Sequence, residues 1–137
     1  MKTYTVVLAT ALALTGCAHR GKRVATAIVA STDVLADSFA SEWSAATGAQ
    51  IEKCRELELE TVEKRKACLG PFTPTNTQKA IAAVQVLVTA QKAVKAAAEC
   101  SELKTCLDDP DWVELGTQVQ AAWVDLKPFV QAVKEKQ

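Results

Sequence analysis

Histidine, glycine, proline and aromatic residues are scarce in this chain. Its 137 residues include one histidine, five glycines, four prolines, three tryptophans, three phenylalanines and one tyrosine. Few helix breakers and abundant alanine favour helices that pack closely against each other. Net charge is also absent, since 16 basic residues face 16 acidic ones. This balance gives no electrostatic reason to expect a nucleic-acid partner.

The scarcity of histidine argues against catalysis and metal binding. The single histidine, His19, stands in a short basic stretch near the N-terminus, so no Ser-His or Cys-His pair is expected. The cysteines form no C-x-x-C pair, the close spacing that structural zinc sites usually show. The glycines form no phosphate-binding loop. We therefore expect a non-enzymatic protein with no catalytic residues, no metal site and no bound cofactor.

An apolar run near the N-terminus ends in a cysteine. Lys2 precedes residues 8–14 (LATALAL), and Thr15, Gly16 and Cys17 follow. A basic residue, an apolar core and small residues in this order are typical of an export signal. Counted from Val6 to Gly16 the run is about 11 residues long, whereas a helix that spans a bilayer needs about 20. We therefore expect a cleaved signal, and no later stretch qualifies as a span because polar residues interrupt the apolar ones.

The stretch Leu14-Thr15-Gly16-Cys17 resembles the lipobox of bacterial lipoprotein signals, in which Leu, a small residue and Gly or Ala precede a lipidated cysteine. The resemblance implies that Cys17 begins the mature protein and carries a covalent diacylglycerol and an N-acyl chain. The next residue is Ala18, where Asp would imply inner-membrane retention in the enterobacterial sorting pattern. The resemblance thus implies the periplasmic face of the outer membrane of a Gram-negative bacterium.

The same resemblance divides the chain into three parts. Residues 1–16 would be the cleaved signal peptide, residues 17–23 the lipidated cysteine and a basic tether, and residues 24–137 a helical bundle domain. About 120 residues suffice for one compact domain. Fully extended, the tether reaches only about 20 Å, which places the domain close to the membrane surface. Its basic side chains either rest on anionic headgroups or form a solvated spacer.

With Cys17 assigned to lipid, four cysteines remain. An even set in an oxidising compartment predicts two disulfides, for which three connectivities exist. We expect Cys54 to pair with Cys68, and Cys100 with Cys106. A continuous helix would separate the first two by about 21 Å, whereas a disulfide needs Cα atoms within about 7 Å. The chain must therefore turn back between them.

Hydrophobic periodicity predicts an all-α fold. The pattern predicts helices at about 24–57, 62–69 and 75–99, and from residue 110 onwards. Ile51 falls on the predicted buried face of the first helix, and Ile81 on that of the third. The break between the first two helices is expected near Leu57–Glu60. Together these helices predict a small up-down-up bundle of three principal helices with a short extra helical hairpin, stabilised by disulfides.

Capping signals mark the predicted helix starts. Thr61 can cap the second helix. For the third helix, Thr75-x-x-Gln78 fits a capping box, and Thr73-Pro74 fits almost as well. Asp109-Pro110 is expected to open the last helix, with Asp as the cap and Pro in the first position. Pro128 should kink or divide that helix.

The three tryptophans, Trp43, Trp112 and Trp123, fall on or near the apolar faces of the first and last helices. Core packing is the simplest interpretation of all three. The alternative is that one of them lines a groove for a partner, because tryptophan is enriched in binding hot spots. Small residues of the third helix permit close helix approach either within the bundle or between two copies. A dimer is therefore an open hypothesis.

Three functional hypotheses follow. The first is a lipid-anchored, non-enzymatic interaction or envelope-structural protein, bound to the membrane through Cys17 and to an unidentified protein partner. The second is a phage- or plasmid-encoded lipoprotein for superinfection exclusion or lysis. The third is a binder of an apolar ligand between the helices, which predicts a pocket lined by Trp43, Trp112 or Trp123.

Overall fold

Four helices form the part of the chain that the structure describes. The structure is a computed structural model that describes residues 18–136, with side chains from residue 20 onwards. Helix α1 spans Ala18–Glu56, α2 spans Val62–Leu69, α3 spans Pro74–Leu103 and α4 spans Trp112–Lys136. Helices α1, α3 and α4 pack against one another, and α2 packs on α1. No strand occurs in these residues, and the predicted three-helix bundle with a short extra hairpin is confirmed.

The three long helices run up, down and up. Near the start of α1, Lys22 Nζ lies 3.8 Å from Glu102 Oε1 at the end of α3. We call this the proximal end of the bundle; it contains the first turns of α1 and α4 and the α3–α4 connection. At the distal end, Trp43 of α1 contacts both Thr77, early in α3, and Phe129, late in α4. Helix α2 and the α2–α3 connection also lie at the distal end.

Helix α1 begins earlier than its apolar pattern predicts. It starts at Ala18 rather than Val24, so most of the expected tether is helical. Gly21, in the first turns, lies so close to α4 that an added Cβ would be 2.9 Å from the Cβ of Trp112. The periodicity missed this start because the contact depends on a missing side chain, not on an apolar one. Cys17 itself lies outside the described residues.

The predicted break after α1 is confirmed. Helix α1 ends at Glu56, and the chain reverses through Glu58, whose φ is +48°. Thr61 then caps α2 by accepting a hydrogen bond from the Lys64 backbone N–H at 3.2 Å. The hairpin brings Cys54 and Cys68 to disulfide distance, with their Cα atoms 5.8 Å apart. The expected pairing of Cys54 with Cys68 is thus the one found, together with the chain reversal that it requires.

Helix α3 uses the second of its two candidate caps. Thr73, not Thr75, accepts a hydrogen bond from the Asn76 backbone N–H at 3.2 Å, and Pro74 occupies the first helical position. Proline is suited to that position because it has no N–H to leave unpaired and its φ already matches the helix. A cap at Thr75 would have cost the helix its first two residues.

Helix α3 also ends later than predicted, at Leu103 rather than near Glu99. Lys104 follows in the left-handed conformation, and its backbone N–H donates to the carbonyls of the last turn. Cys100 therefore lies within that turn and pairs with Cys106 at disulfide distance, with Cα atoms 4.9 Å apart. The second predicted pair is thereby confirmed, and it ties the connection to the end of α3.

The start of α4 differs from the prediction. The cap is Asp111, whose Oδ1 accepts from the Glu114 backbone N–H at 3.0 Å, and Asp109 lies outside the helix. The Pro110 carbonyl accepts a hydrogen bond from the Trp112 backbone N–H at 3.1 Å. Both aspartates are good cap residues. The Cys100–Cys106 pair ties the preceding connection to α3, and the helix begins after Asp111.

Pro128 does not divide α4, which is one helix from Trp112 to Lys136. Proline removes a hydrogen bond to the carbonyl four residues earlier, here that of Val124. Both Pro128 and Val124 are exposed. Because the lost bond faces water, the carbonyl can be solvated and the helix continues.

Two stretches are long and apolar enough, by length and composition, to cross a membrane. Arg20–Glu56 and Val62–Leu103 each contain an 18-residue window with a mean hydropathy of 1.2. The sequence-based expectation that no later stretch qualifies was therefore too strict. Core helices pass the same test, and both stretches pack around one shared core here. The finding is weak evidence for a membrane span.

Candidate functional site: an apolar groove between α1 and α3

A surface groove of about 500 Å³ lies between α1 and α3 at the distal end. Helix α1 contributes Phe39, Ala40, Trp43, Ser44, Thr47, Gly48 and Ile51. Helix α3 contributes Thr77, Ile81, Val84 and Gln85. None of these side chains is charged. The groove has the volume and apolar lining typical of small-molecule sites and of the clefts that receive a partner's side chains.

Aromatic rings cluster beside the groove. The ring of Trp43 lies 4.9 Å from that of Phe72, 5.6 Å from that of Phe129 and 5.7 Å from that of Phe39, measured between centroids. Phe72, in the α2–α3 connection, is among the most completely buried side chains of the described residues. The cluster therefore joins Trp43 of α1 to the α2–α3 connection and to α4, and it holds Trp43 beside the groove.

A hydrogen bond fixes the floor of the groove. Trp43 Nε1 donates to Thr77 Oγ1 at 3.1 Å, which joins α1 to α3. A buried indole N–H normally finds such a partner. The bond fixes the orientation of the Trp43 ring, which packs in the core and also lines the groove.

Two apolar residues that periodicity places on buried faces are exposed along the groove. Ile51 is 41% exposed and Ile81 is 51% exposed. The pattern correctly identifies the apolar side of each helix. The pattern does not show how far the opposing helix covers that side, and here both side chains stay in contact with solvent.

One polar atom in the groove lacks a partner. The Oγ1 atom of Thr47 is buried, yet it makes no hydrogen bond within the described part of the chain. Buried polar atoms in proteins are nearly always satisfied. The hydroxyl is closed off from solvent, so an occupant of the groove would reach it only after a shift of the surrounding side chains.

The groove continues into a second depression beside the α1–α2 hairpin. Ile51 lines both, and the second has a volume of about 580 Å³. Its other lining residues are Cys54, Arg55, Glu58, Leu59, Glu60, Arg65 and Leu69. Arg65 is held in place by a 3.0 Å hydrogen bond from its Nε to the Leu59 carbonyl. An occupant that extends beyond the apolar groove would therefore meet charges of both signs.

The tryptophans hypothesised to line a groove have different roles. All three are buried, as expected for core residues. Trp43 also lines the groove, whereas Trp112 and Trp123 do not. Thr47 and Thr77 were not identified from the sequence, because a threonine inside a helix carries no signal for a site. The aromatic pair Phe39 and Trp43, one helical turn apart, is the one sequence feature that points to this place.

Neither a metal-binding cluster nor a known relative indicates a chemistry for this protein. Among residues 20–136, no group of three or more His, Cys, Asp or Glu side chains is placed to hold a metal ion. No family model, curated protein or solved structure matches the chain. No analogy with a known fold or family therefore bears on its function.

Proposed function

We propose that the protein is a lipid-anchored, non-enzymatic interaction module of the bacterial envelope, and that its groove receives an uncharged, apolar segment of a protein partner. The observation that carries this proposal is the groove itself, which is uncharged and lies on a well-packed bundle. Burial of apolar area without unpaired charge is what stable recognition requires at the centre of an interface. The partner is expected to present a matching apolar surface.

Cys17 supplies the anchor in this proposal, on the strength of the lipobox-like stretch Leu14–Cys17. Helix α1 begins at Ala18, and Trp43 lies 25 residues further along it, a rise of about 38 Å. One leaflet of the bilayer core is only about 15 Å thick. Acyl chains on Cys17 are therefore too short to fill the groove, which remains available to a periplasmic partner. We place the anchor in the outer membrane of a Gram-negative bacterium, on the periplasmic face.

Site-specific crosslinking in cells tests the groove. A photoreactive phenylalanine analogue at Ile81 is expected to crosslink one defined partner. The same analogue at Val124, which is exposed on α4 outside the groove, should give little product. Equal products from both positions would contradict a partner in the groove.

The anchor is tested separately by Cys17→Ser. The unaltered protein should fractionate with membranes, and its mature N-terminal peptide should carry the mass of the acyl groups. The variant should remain unprocessed by signal peptidase II and lose this modification. If membrane association and processing are the same in both proteins, the anchor is wrong.

A second candidate function is the binding of a small apolar ligand in the groove, and the volume of about 500 Å³ with an uncharged lining favours it. Titration of the purified protein with lipids and cell-wall fragments should then change its tryptophan fluorescence through Trp43. Ile81→Arg should abolish the change, since it places an unpaired charge in the groove. A fluorescence that no compound alters would leave the protein partner as the better proposal.

Two further hypotheses stay predictions. A phage- or plasmid-encoded role in superinfection exclusion or lysis would be favoured by phage structural or lysis genes beside the gene. A dimer would be favoured by a doubled mass in sedimentation experiments.

A further inference from the structure

The proximal end of the bundle presents two leucines to solvent. Leu103, the last residue of α3, is 65% exposed, and Leu107, in the α3–α4 connection, is 102% exposed. Leu107 therefore contributes nothing to the core. Transfer of such an exposed apolar side chain from water into an apolar environment is favourable.

These leucines sit on a connection that is held firmly to α3. Cys106 pairs with Cys100 in the last turn of the helix, with Cα atoms 4.9 Å apart. The Thr105 backbone N–H donates to the Cys100 carbonyl at 2.9 Å. Leu103 lies within this short closed loop, and Leu107 directly follows it. The apolar protrusion therefore has a defined position at the end of the bundle.

The same end of the bundle carries the start of α1. Lys22 reaches Glu102 at 3.8 Å, and Gly21 packs against Trp112. The first turn of α1 and the α3–α4 connection are thus at the same level along the bundle. Cys17 directly precedes Ala18 in the chain. Acyl chains on Cys17 would bring the membrane to this end.

Charge does not explain a membrane contact here. The basic residues of this end are Arg20, Lys22, Arg23 and Lys104, and the acidic ones are Glu102, Asp108, Asp109, Asp111 and Glu114. The basic residues are not in excess, and the Lys22–Glu102 pair joins one member of each set. Attraction to anionic headgroups requires an excess of basic residues. Apolar insertion is therefore the mode of contact that this surface fits.

We propose that the proximal end docks on the lipid bilayer that holds Cys17, with Leu107 inserted at the boundary between headgroups and acyl chains and Leu103 beside it. This inference rests on the proposed anchor at Cys17. Apolar side chains of peripheral proteins reach about 5–10 Å into that boundary. Because both contacts lie at one end of the bundle, the helices stand away from the membrane. The groove is then presented to the periplasm.

Fluorescence quenching in vesicles tests the docking. Leu107→Trp and the matched control Val86→Trp are compared as mature acylated proteins in phosphatidylcholine vesicles with brominated acyl chains. Val86 is 57% exposed in α3, and it lies 17 residues, or about 25 Å, from Leu103. After subtraction of the signal of the unaltered protein, we expect at least a twofold larger quenching of Leu107→Trp. Equal quenching would overturn the proposal, as would quenching that appears only with anionic lipids.

A second measurement uses the unaltered chain. Hydrogen exchange of backbone amides in residues 104–111 should be at least threefold slower in the vesicle-bound acylated protein than in the Cys17→Ser variant in solution. Exchange in the middle of α3 should be the same in both. Equal exchange in the connection would overturn the docking.

The mass of the mature N-terminal peptide separates the two proposals. If Cys17 carries no acyl group, the anchor fails and the docking fails with it. If Cys17 is acylated and Leu107→Trp is quenched no more than Val86→Trp, the docking alone is overturned. The anchor and the proposed function then stand.

Discussion

At the proximal end of the bundle glycines lie at the contacts between α1 and α4, whereas at the distal end aromatic rings pack against one another. A Cβ added at Gly116 of α4 would lie 3.7 Å from the Cα of Ala25 in α1, and Gly21 lies even closer to α4. At the other end, the ring of Trp43 packs against those of Phe72 and Phe129, and Trp43 also lines the groove. The two ends should therefore differ in what they tolerate. An added methyl group is most costly at a close glycine contact, whereas a lost ring is most costly in the aromatic cluster.

The largest effect is expected from removal of the ring at the centre of the distal cluster. Trp43→Ala should lower the free energy of unfolding by about 3–5 kcal/mol, since it leaves a cavity among the aromatic rings. Trp43→Phe is the matched control, which keeps most of the packing and loses the bond to Thr77, at about 1 kcal/mol. Denaturant unfolding measures both. Equal costs would mean that the ring does not determine the packing of this end.

The two cysteine pairs, one at each end of the bundle, should differ in how much they contribute to the free energy of unfolding. In the chain-entropy model, Cys54→Ser/Cys68→Ser opens a loop of about 15 residues and costs up to about 3 kcal/mol, whereas Cys100→Ser/Cys106→Ser costs about 2 kcal/mol. Helix α2 has no buried residue, so the first variant should release α2 and leave the bundle folded. Hydrogen exchange along the chain distinguishes this outcome. Loss of protection throughout the bundle would contradict a locally attached α2.

Between the two ends lies a buried polar pair, and substitution of its two members should lower the free energy of unfolding by different amounts. Gln91 Nε2 donates to Thr32 Oγ1 at 2.8 Å, and that hydroxyl donates to the Ile28 carbonyl at 2.9 Å. Thr32→Val leaves the amide of Gln91 without an acceptor, at about 1–3 kcal/mol. Gln91→Leu leaves the hydroxyl satisfied by Ile28, so we expect a cost below about 1 kcal/mol. Unfolding of both variants and of the double variant checks this; a larger cost for Gln91→Leu would contradict the assignment of donor and acceptor.

The smallest effects should come from one substitution made at two glycines of the proximal end. Gly21→Ala should destabilise by about 1–2 kcal/mol, since its Cβ would be 2.9 Å from that of Trp112. Gly116→Ala meets Ala25 only at ordinary contact distance, so the gain in helix propensity should stabilise by up to about 1 kcal/mol. Thermal unfolding of the two variants measures the sign of each change. The same sign at both positions would show that the two contacts do not differ in closeness.

Much of the fold could be predicted because it depends on local chemistry. The break after Leu57 follows from two cysteines whose separation no straight helix can bridge. Thr61 as a cap and Pro74 in the first position of α3 follow from short-range backbone bonding. Asp111 could not be distinguished from Asp109 in this way, since both are equally good caps in isolation. Their different roles depend on a connection that is fixed elsewhere, at Cys106.

By itself, the sequence determined the helical class, the number of principal helices, both cysteine pairs and the core positions of the tryptophans. These features depend on periodicity, propensity and short-range geometry, which neighbouring residues decide. Only the tertiary structure decided that Ile51 and Ile81 stay exposed, and that Trp43 alone among the tryptophans borders the groove. The exposure of a residue depends on how far a neighbouring helix covers it, so the pattern of a single helix does not encode it.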